Sequence, residues 1–353
     1  MACIDCEQLP DPVTGDCRLY LWAPPGGHTF AKLAGWPLGP GRSREILPAG
    51  RTVLLRIAGA ALTETLVEMS GLLGEKEQED VKCLLLPGDR EPGFADFPKV
   101  EPLSRALARH SAGWLIALLG QDRLTSWFQP IMHADGAGIF AHEALLRGID
   151  ADGVVVSAGH IIAAANAAGL TFQTDLRARL SAVTRFGKSG LPGRLFVNFS
   201  PNALYDPAFC LRTTIARIDE LGIDHDRVVF EVIESEQHHN LLHLKGILGH
   251  YRRHGFQVAL DDFGSGYNSL RILDELLPDY VKIDMGLIRG ISTNPTKQAI
   301  VGNLVDLSRK LGARTIAEGI EEPADAEWLR QAGVAFLQGY LFGRPAPVPA
   351  TAG

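Results

Sequence analysis

Residues 257–284 read QVALDDFGSGYNSLRILDELLPDYVKID. Two short apolar segments, Gln257–Asp261 and Tyr280–Asp284, each carry charge, and a helix-length segment separates them. The same pattern extends outward through Leu195–Asn198, Val228–Ile233, Arg314–Glu318 and Val334–Gln338, with Phe128–Met132 and Phe140–Leu145 ahead of them. Alternation of short strands with helical segments predicts a parallel sheet, and eight strands over about 225 residues predict an α/β fold of the closed (β/α)8, TIM-like kind. Only Ala134–Gly138 separates the first two strands. A parallel crossover needs a dozen or more residues, so one antiparallel strand pair is expected in the barrel.

Upstream the texture changes. Arg18–Trp22, Val53–Ile57 and Val81–Leu86 are strand-like, and Ala60–Glu75 is helix-like, with Leu62, Leu66, Met69 and Leu73 three and four apart. Pro87–Pro98 is dense in Pro, Gly and charge and reads as a connector, and Leu103–Leu119 resumes a helical pattern leading into the barrel. The expected organisation is a small α+β unit over 1–115 and a barrel over 116–353. Of the 353 residues, 46% are hydrophobic and 21% charged, which excludes disorder as the main state. A net charge of −7 argues against coating DNA. The N-terminus lacks a basic, apolar leader and no apolar run approaches membrane-span length, so a cytoplasmic protein without membrane insertion is expected.

Five cysteines do not make a disulfide scaffold. Cys3, Cys6 and Cys17 crowd the start, and His28 follows Cys17 at the spacing that separates Cys6 from Cys17. That set offers four ligands for Zn2+; small buried residues near a chain end are the alternative.

The polar residues of the barrel strands carry the chemistry. Glu143, Asn198, Glu231, Asp261 with Asp262, Lys282, Glu318 and Gln338 each sit in or at the end of an apolar strand. One such residue fits a salt bridge at a barrel end. A series of seven strands so marked does not fit plain core, because each buried charge costs several kcal/mol unless paired or metal-bound. In a barrel these positions converge on the C-terminal mouth, where active sites of this fold lie. Five carboxylates and an asparagine are hard oxygen ligands, suited to Mg2+, Mn2+ or Ca2+. Adjacent Asp261 and Asp262 suit a bridge between two metals, and Lys282 adds a cation to orient water or stabilise developing phosphorane charge.

These residues resemble the EAL-domain family of cyclic di-GMP phosphodiesterases over about Leu124 to Pro347. Phe128-Gln-Pro-Ile131 resembles the family's entry strand, and Glu143-Ala-Leu145 is its signature, continued as Leu146-Arg147. Asn198-Phe-Ser200, Glu231-Val-Ile-Glu234, Asp261-Asp-Phe-Gly-Ser-Gly-Tyr267, Val281-Lys-Ile-Asp284, Ala317-Glu-Gly-Ile-Glu321 and Gln338-Gly-Tyr340 complete the series. The resemblance implies metal-dependent hydrolysis of cyclic di-GMP to linear pGpG by a bacterial signalling enzyme, with two Mg2+ or Mn2+ and with Ca2+ inhibitory. It assigns Glu143, Asn198, Glu231 and Asp261 to one metal, and Asp261, Asp262 and Glu318 to the second. Lys282 would contact the catalytic water. Gln129, Leu146, Arg147, Glu321 and Gln338 fall on the substrate side. Glu234 would anchor the Asp261–Leu270 loop, which the resemblance couples to a homodimer interface. Read without it, Arg147 fits a rim salt bridge, Gln129 a strand end and Glu234 a structural hydrogen bond.

The sequence also departs from the family. Ile233 stands for the usual Thr, Asn166 for a common Glu, Gly148 for an aromatic or polar residue, and Met285 for a common Arg. These bear on loop packing and substrate affinity rather than on the metal ligands. A degenerate domain that senses the nucleotide without cleaving it is the competing expectation. A third expectation, compatible with the enzyme, is a zinc-organised scaffold whose N-terminal unit recruits partners that regulate the barrel.

Overall fold

The structure is a computed structural model that describes residues 8–11, 13–24, 27–47, 52–233, 241–264 and 269–348. It divides into two compact units, one comprising Gln8–Gln121 with Gly159–Thr171, the other Asp122–Ala158 with the chain from Phe172 onward.

The first unit is built on a five-stranded antiparallel sheet. Its strands are β1 (Cys17–Trp22), β2 (Arg42–Leu47), β3 (Thr52–Ile57), β4 (Lys82–Pro87) and β5 (Glu101–Pro102), in the order β2-β3-β1-β4-β5. Alternation sends Cys17, Leu19 and Leu21 of β1 to a core shared with Leu66 and Met69 of the helix Leu62–Leu72. Tyr20, Leu54, Leu84 and Leu86 form a second buried cluster. Three sequence expectations are corrected here. The helix expected over Ala60–Glu75 is a 3-10 turn, the helix Leu62–Leu72 and a separate helix Glu75–Asp80, because Leu73 turns extended and Glu77 accepts from the Gly74 N–H to start afresh. The helix over Leu103–Leu119 is two, Leu103–Ser111 and Gly113–Gly120, interrupted at Ala112. The connector over Pro87–Pro98 lies inside this unit, between β4 and β5, and is held by Asp96, which accepts from Arg90 and from the Gly93 N–H.

The second unit is the expected (β/α)8-type barrel. Its strands are β6 (Leu124–His133), β7 (Ile139–Ile149), β8 (Val155–Ser157), β9 (Arg194–Asn198), β10 (Val228–Ile233), β11 (Gln257–Phe263), β12 (Tyr280–Ile283), β13 (Arg314–Ala317) and β14 (Phe336–Gln338). The order β6-β14-β13-β12-β11-β10-β9-β7 closes through β6–β7, and β8 pairs onto β7 as an extra antiparallel strand. β6 runs antiparallel to both its neighbours, as the short Ala134–Gly138 loop requires, and the other barrel pairs are parallel. An apolar layer fills the barrel: Ile131, Ala141, Phe196, Val229, Ala259, Tyr280, Ile316 and Phe336 pack as one buried cluster. Among the described residues, no helix is long and apolar enough to cross a membrane.

Candidate active site at the barrel mouth

Strand periodicity builds the site. Two residues beyond each member of the apolar layer the side chain again faces inward, one pleat nearer the C-terminal mouth. Ala141 is followed by Glu143, Phe196 by Asn198, Val229 by Glu231, Ala259 by Asp261, Tyr280 by Lys282, Ile316 by Glu318 and Phe336 by Gln338. On the reversed strand β6 the pair runs backward, from Ile131 to Gln129. A polar ring therefore sits on an apolar plug.

Lys282 is 1% exposed and stands at the centre of the ring. Its Nζ lies 2.8 Å from Glu318, 2.9 Å from Glu231, 3.1 Å from Asp261 and 3.5 Å from Glu143. Four carboxylates face one ammonium, a surplus of three negative charges if all ionise. Burial, followed by the neighbouring acids, pushes the Glu231 and Glu318 carboxyls well above the carboxylate range despite the lysine. Asp262 is pushed up to about 6 by burial and by Asp261. Burial opposes the Lys282 ammonium, but Asp261, Glu143, Glu231 and Glu318 together outweigh it and hold the ammonium well above its ordinary value.

The acids form two groups able to hold a cation, Glu143 with Glu231 and Asp261, and Asp261 with Asp262 and Glu318; within each, one oxygen per residue lies within 4.8 Å of the others. Asp261 belongs to both. Strand alternation alone would send adjacent Asp261 and Asp262 to opposite faces. The β11–β12 register shifts between Leu260 and Phe263, and Asp262 adopts φ 55°, left-handed backbone that a non-glycine residue rarely takes. That local irregularity keeps both carboxylates in one group with Glu318.

The residues present fit divalent cations. Glu231 is fully buried, and its Oε1 faces a positive charge, the Lys282 ammonium at 2.9 Å, that it shares with three other carboxylates. Asn198 Nδ2 donates to Glu143 (3.1 Å) and Glu231 (3.0 Å), bridging two oxygens as a cation would. Turning that amide over presents its oxygen to the same space. Gln338 donates to the other Glu143 oxygen at 2.6 Å and to Gln129 at 3.3 Å, so amides fix Glu143 from both ends. Asn198 is placed from behind by Asp175, which accepts from the Ser200 N–H (2.8 Å) and pairs with buried Arg179 (2.8 Å). Gly319, at φ 66°, lets the chain after Glu318 pass Met285, where a Cβ would collide.

A cleft of about 220 Å³ opens beside the ring. Gln129, Glu143, Asp262, Glu318, Glu321 and Gln338 line it. Asp284, Met285, Arg289 and Tyr340 line it as well, without having been singled out as site residues in the sequence. Arg147 does not line it; its guanidinium donates to the Leu146 carbonyl (2.7 Å) and lies 5.3 Å over Trp127. Leu146 is half-buried. Glu234 and residues 265–268 lie outside the described residues, as do Cys3 and Cys6. Of the other two proposed zinc ligands, Cys17 is in the apolar core of the first unit, its thiol pushed up to about 11 by burial, while His28 is largely exposed beside Glu77 at 3.3 Å. Neither belongs to a metal-capable group among the described residues.

A closed barrel with carboxylates, an asparagine and a buried lysine at its C-terminal mouth presents acid groups able to hold cations at the place where active sites of this fold lie. The chain belongs to the EAL domain family, whose model matches residues 113–345. It is 28% identical over 224 residues to cyclic di-GMP phosphodiesterase PdeL of Escherichia coli K12, a match covering 63% of this chain and 62% of PdeL. It is 30% identical over 251 residues to cyclic di-GMP phosphodiesterase PdeB of Shewanella oneidensis MR-1, covering 68% of this chain and 29% of PdeB. The chain thus spans less than two thirds of the length of these relatives. Among solved structures, a standalone EAL protein from Vibrio cholerae O395 in its c-di-GMP-bound form is similar at 38% identity and TM-score 0.59, over 63% of this chain and 92% of that one. Klebsiella pneumoniae BlrP1, solved with manganese and cyclic di-GMP, is similar in fold over 94% of this chain and 96% of its own, at 22% identity and TM-score 0.59.

Proposed function

We propose that this chain hydrolyses cyclic di-GMP to linear pGpG, using two Mg2+ or Mn2+ at the barrel mouth. The observation that carries the reading is the surplus of carboxylates around the single buried Lys282, arranged as two groups sharing Asp261. Glu143, Asn198, Glu231 and Asp261 would hold one cation, and Asp261, Asp262 and Glu318 the other. Such a pair, when bound, lowers the pKa of a water and neutralises charge on the attacking and leaving oxygens. The chain's own residues do the rest. Lys282, fixed among four acids and shielded from solvent, keeps its proton and directs an N–H toward the attacking water. Asn198 and Gln338 keep Glu143 in one orientation. Gln129, Gln338 and Glu321 face the cleft and would place the dinucleotide.

Homodimerisation through the barrel is part of the same reading, as is inhibition by Ca2+, whose larger and looser coordination suits a tight two-metal bridge poorly. The position of Arg147, folded onto Leu146 and Trp127 rather than into the cleft, favours a second reading in which the domain binds the nucleotide and cleaves it weakly or not at all. Incubation of the purified chain with cyclic di-GMP and Mg2+ or Mn2+, with chromatography of the products, separates the two. The expected result is pGpG, lost in Glu143→Ala. Tight binding with no product under either metal establishes the sensor instead.

A further inference from the structure

We infer that Arg289 is a base-specificity residue, reading the O6/N7 edge of a guanine in the cleft; this deepens, and rests on, the proposal that the cleft takes cyclic di-GMP. Arg289 follows the one-turn helix Met285–Ile288, which leaves β12 directly after Lys282 and Asp284. It is the one cation among the described residues lining the cleft, against the five acids Glu143, Asp262, Asp284, Glu318 and Glu321. Its backbone is pinned on both sides. Lys297 donates to the Arg289 carbonyl at 2.7 Å, and buried Asp325 accepts from the N–H groups of Gly290 (2.8 Å) and Ser292 (2.9 Å). The guanidinium is aimed by Glu321, 2.6 Å away.

Both side chains of that pair are half-exposed, 53% and 46%. An exposed ion pair costs little to rearrange. One Arg289 N–H is used by Glu321, which leaves donors of the fork for a ligand. The pairing also decides what is read. A guanidinium already neutralised by a carboxylate is poorly matched to a phosphate, which Glu321 would repel. It is well matched to a guanine, which presents two acceptors, O6 and N7, to an arginine fork and N–H donors to a carboxylate. Tyr340, 47% exposed in the same cleft and with Arg344 at 4.1 Å from its ring centroid, supplies an aromatic surface for a base. Adenine carries a donor where guanine carries O6, so the pair would discriminate against it.

The test compares cyclic di-GMP with cyclic di-AMP on the full chain in Mn2+. Arg289→Gln should lower kcat/KM for cyclic di-GMP about tenfold or more, through KM, with a much smaller loss for cyclic di-AMP, so the preference between them collapses. Arg289→Lys should not restore the preference, because an ammonium lacks the planar fork. Affinity for Mn2+ alone, by calorimetry, should match the wild type and shows that the carboxylate ring is intact. An unchanged preference, or an equal loss on both nucleotides, overturns the inference. If the wild type cleaves neither nucleotide, the hydrolysis proposal has failed on its own. The ratio of Kd values for the two nucleotides in Ca2+ then carries the same test, and failure to bind either overturns the inference too.

Discussion

The two units handle acidic residues in opposite ways. In the N-terminal unit acids are matched by cations. Asp96 takes both ends of Arg90 at 2.7 Å, Arg42 lies 2.6 Å from each of Glu64 and Glu68, and Glu77 pairs with Lys32 at 2.7 Å. The Asp96 and Glu77 carboxyls are held below their ordinary range by those partners and by backbone N–H groups. In the barrel mouth four acids share Lys282, and burial drives Glu231 and Glu318 the other way. Matched acids hold a fold together; unmatched ones store a demand for positive charge. The mouth is therefore the part of the molecule whose stability depends on what it binds.

The largest effect should come from removing the lysine. Lys282→Met leaves the buried acids without their one protein cation, and breaking a buried pair in this way costs about 3–5 kcal/mol. Urea denaturation in a chelator should show that loss, and saturating Mn2+ should recover a large part of it through mass action on the folded state. If the variant is as stable as the wild type without metal, the carboxylates are compensated by something other than Lys282, and the contrast between the units falls.

A second expectation concerns the mouth's rear support. Asp175→Ala removes the acceptor of the Ser200 N–H and strands Arg179, a buried guanidinium that also donates to Thr214. Asn198, two residues before Ser200, should lose its position, and Mn2+ affinity should fall about tenfold, in the range seen for groups that orient metal ligands. Asp175→Asn retains an acceptor and should restore much of the affinity. Calorimetric titration with Mn2+ measures both.

These two cases show what the sequence made legible. Barrel strands were readable because each carries a polar residue one pleat beyond an apolar one, a period-2 signal that survives without any tertiary information. Metal-capable residues were readable for the same reason. The grouping of Asp261 with Asp262 was proposed from adjacency, yet it depends on a bulge and a left-handed residue that no local pattern announces. Arg289 was missed because the helix it follows is a single turn, too short for helical periodicity, and because its proposed role depends on Glu321, 32 residues away. β2, RSREIL, was missed because it is an edge strand with one face in solvent and charges along it, which hides the apolar signal. Helix Ala158–Ala168 follows the extra strand β8 and counts largely with the first unit, which reading the chain as contiguous segments does not anticipate.

Asp262 titrates at about 6 in the folded chain against an ordinary 3.8. Below 3.8 both states are protonated. Between 3.8 and 6 the unfolded chain gives up the proton while the folded one keeps it, so this group's contribution to stability is lost as pH rises through 6. A bound cation replaces the proton and removes that loss. The rise in Tm produced by Mn2+ should accordingly be larger at pH 8 than at pH 5, and the raised Glu231 and Glu318 carboxyls push it in the same direction. A rise independent of pH would mean that Asp262 takes no part in binding.

The smallest effect belongs to the matched side, and it runs with the opposite sign. Glu77 is lowered to about 2 by Lys32 first, then by the Gly74 N–H and by Thr29. Its contribution is fully present above its ordinary 4.5 and is lost as pH falls through about 2. Glu77→Gln should lower Tm at pH 7 by on the order of a degree or two, because the pair is partly solvent-screened. The gap between variant and wild type should close toward pH 2, and Mn2+ should leave it unchanged. A gap that persists at pH 2 would mean Glu77 acts by packing and as a helix start rather than by charge. In that case the N-terminal acids differ from those of the mouth in degree of burial, not in whether a cation has been supplied.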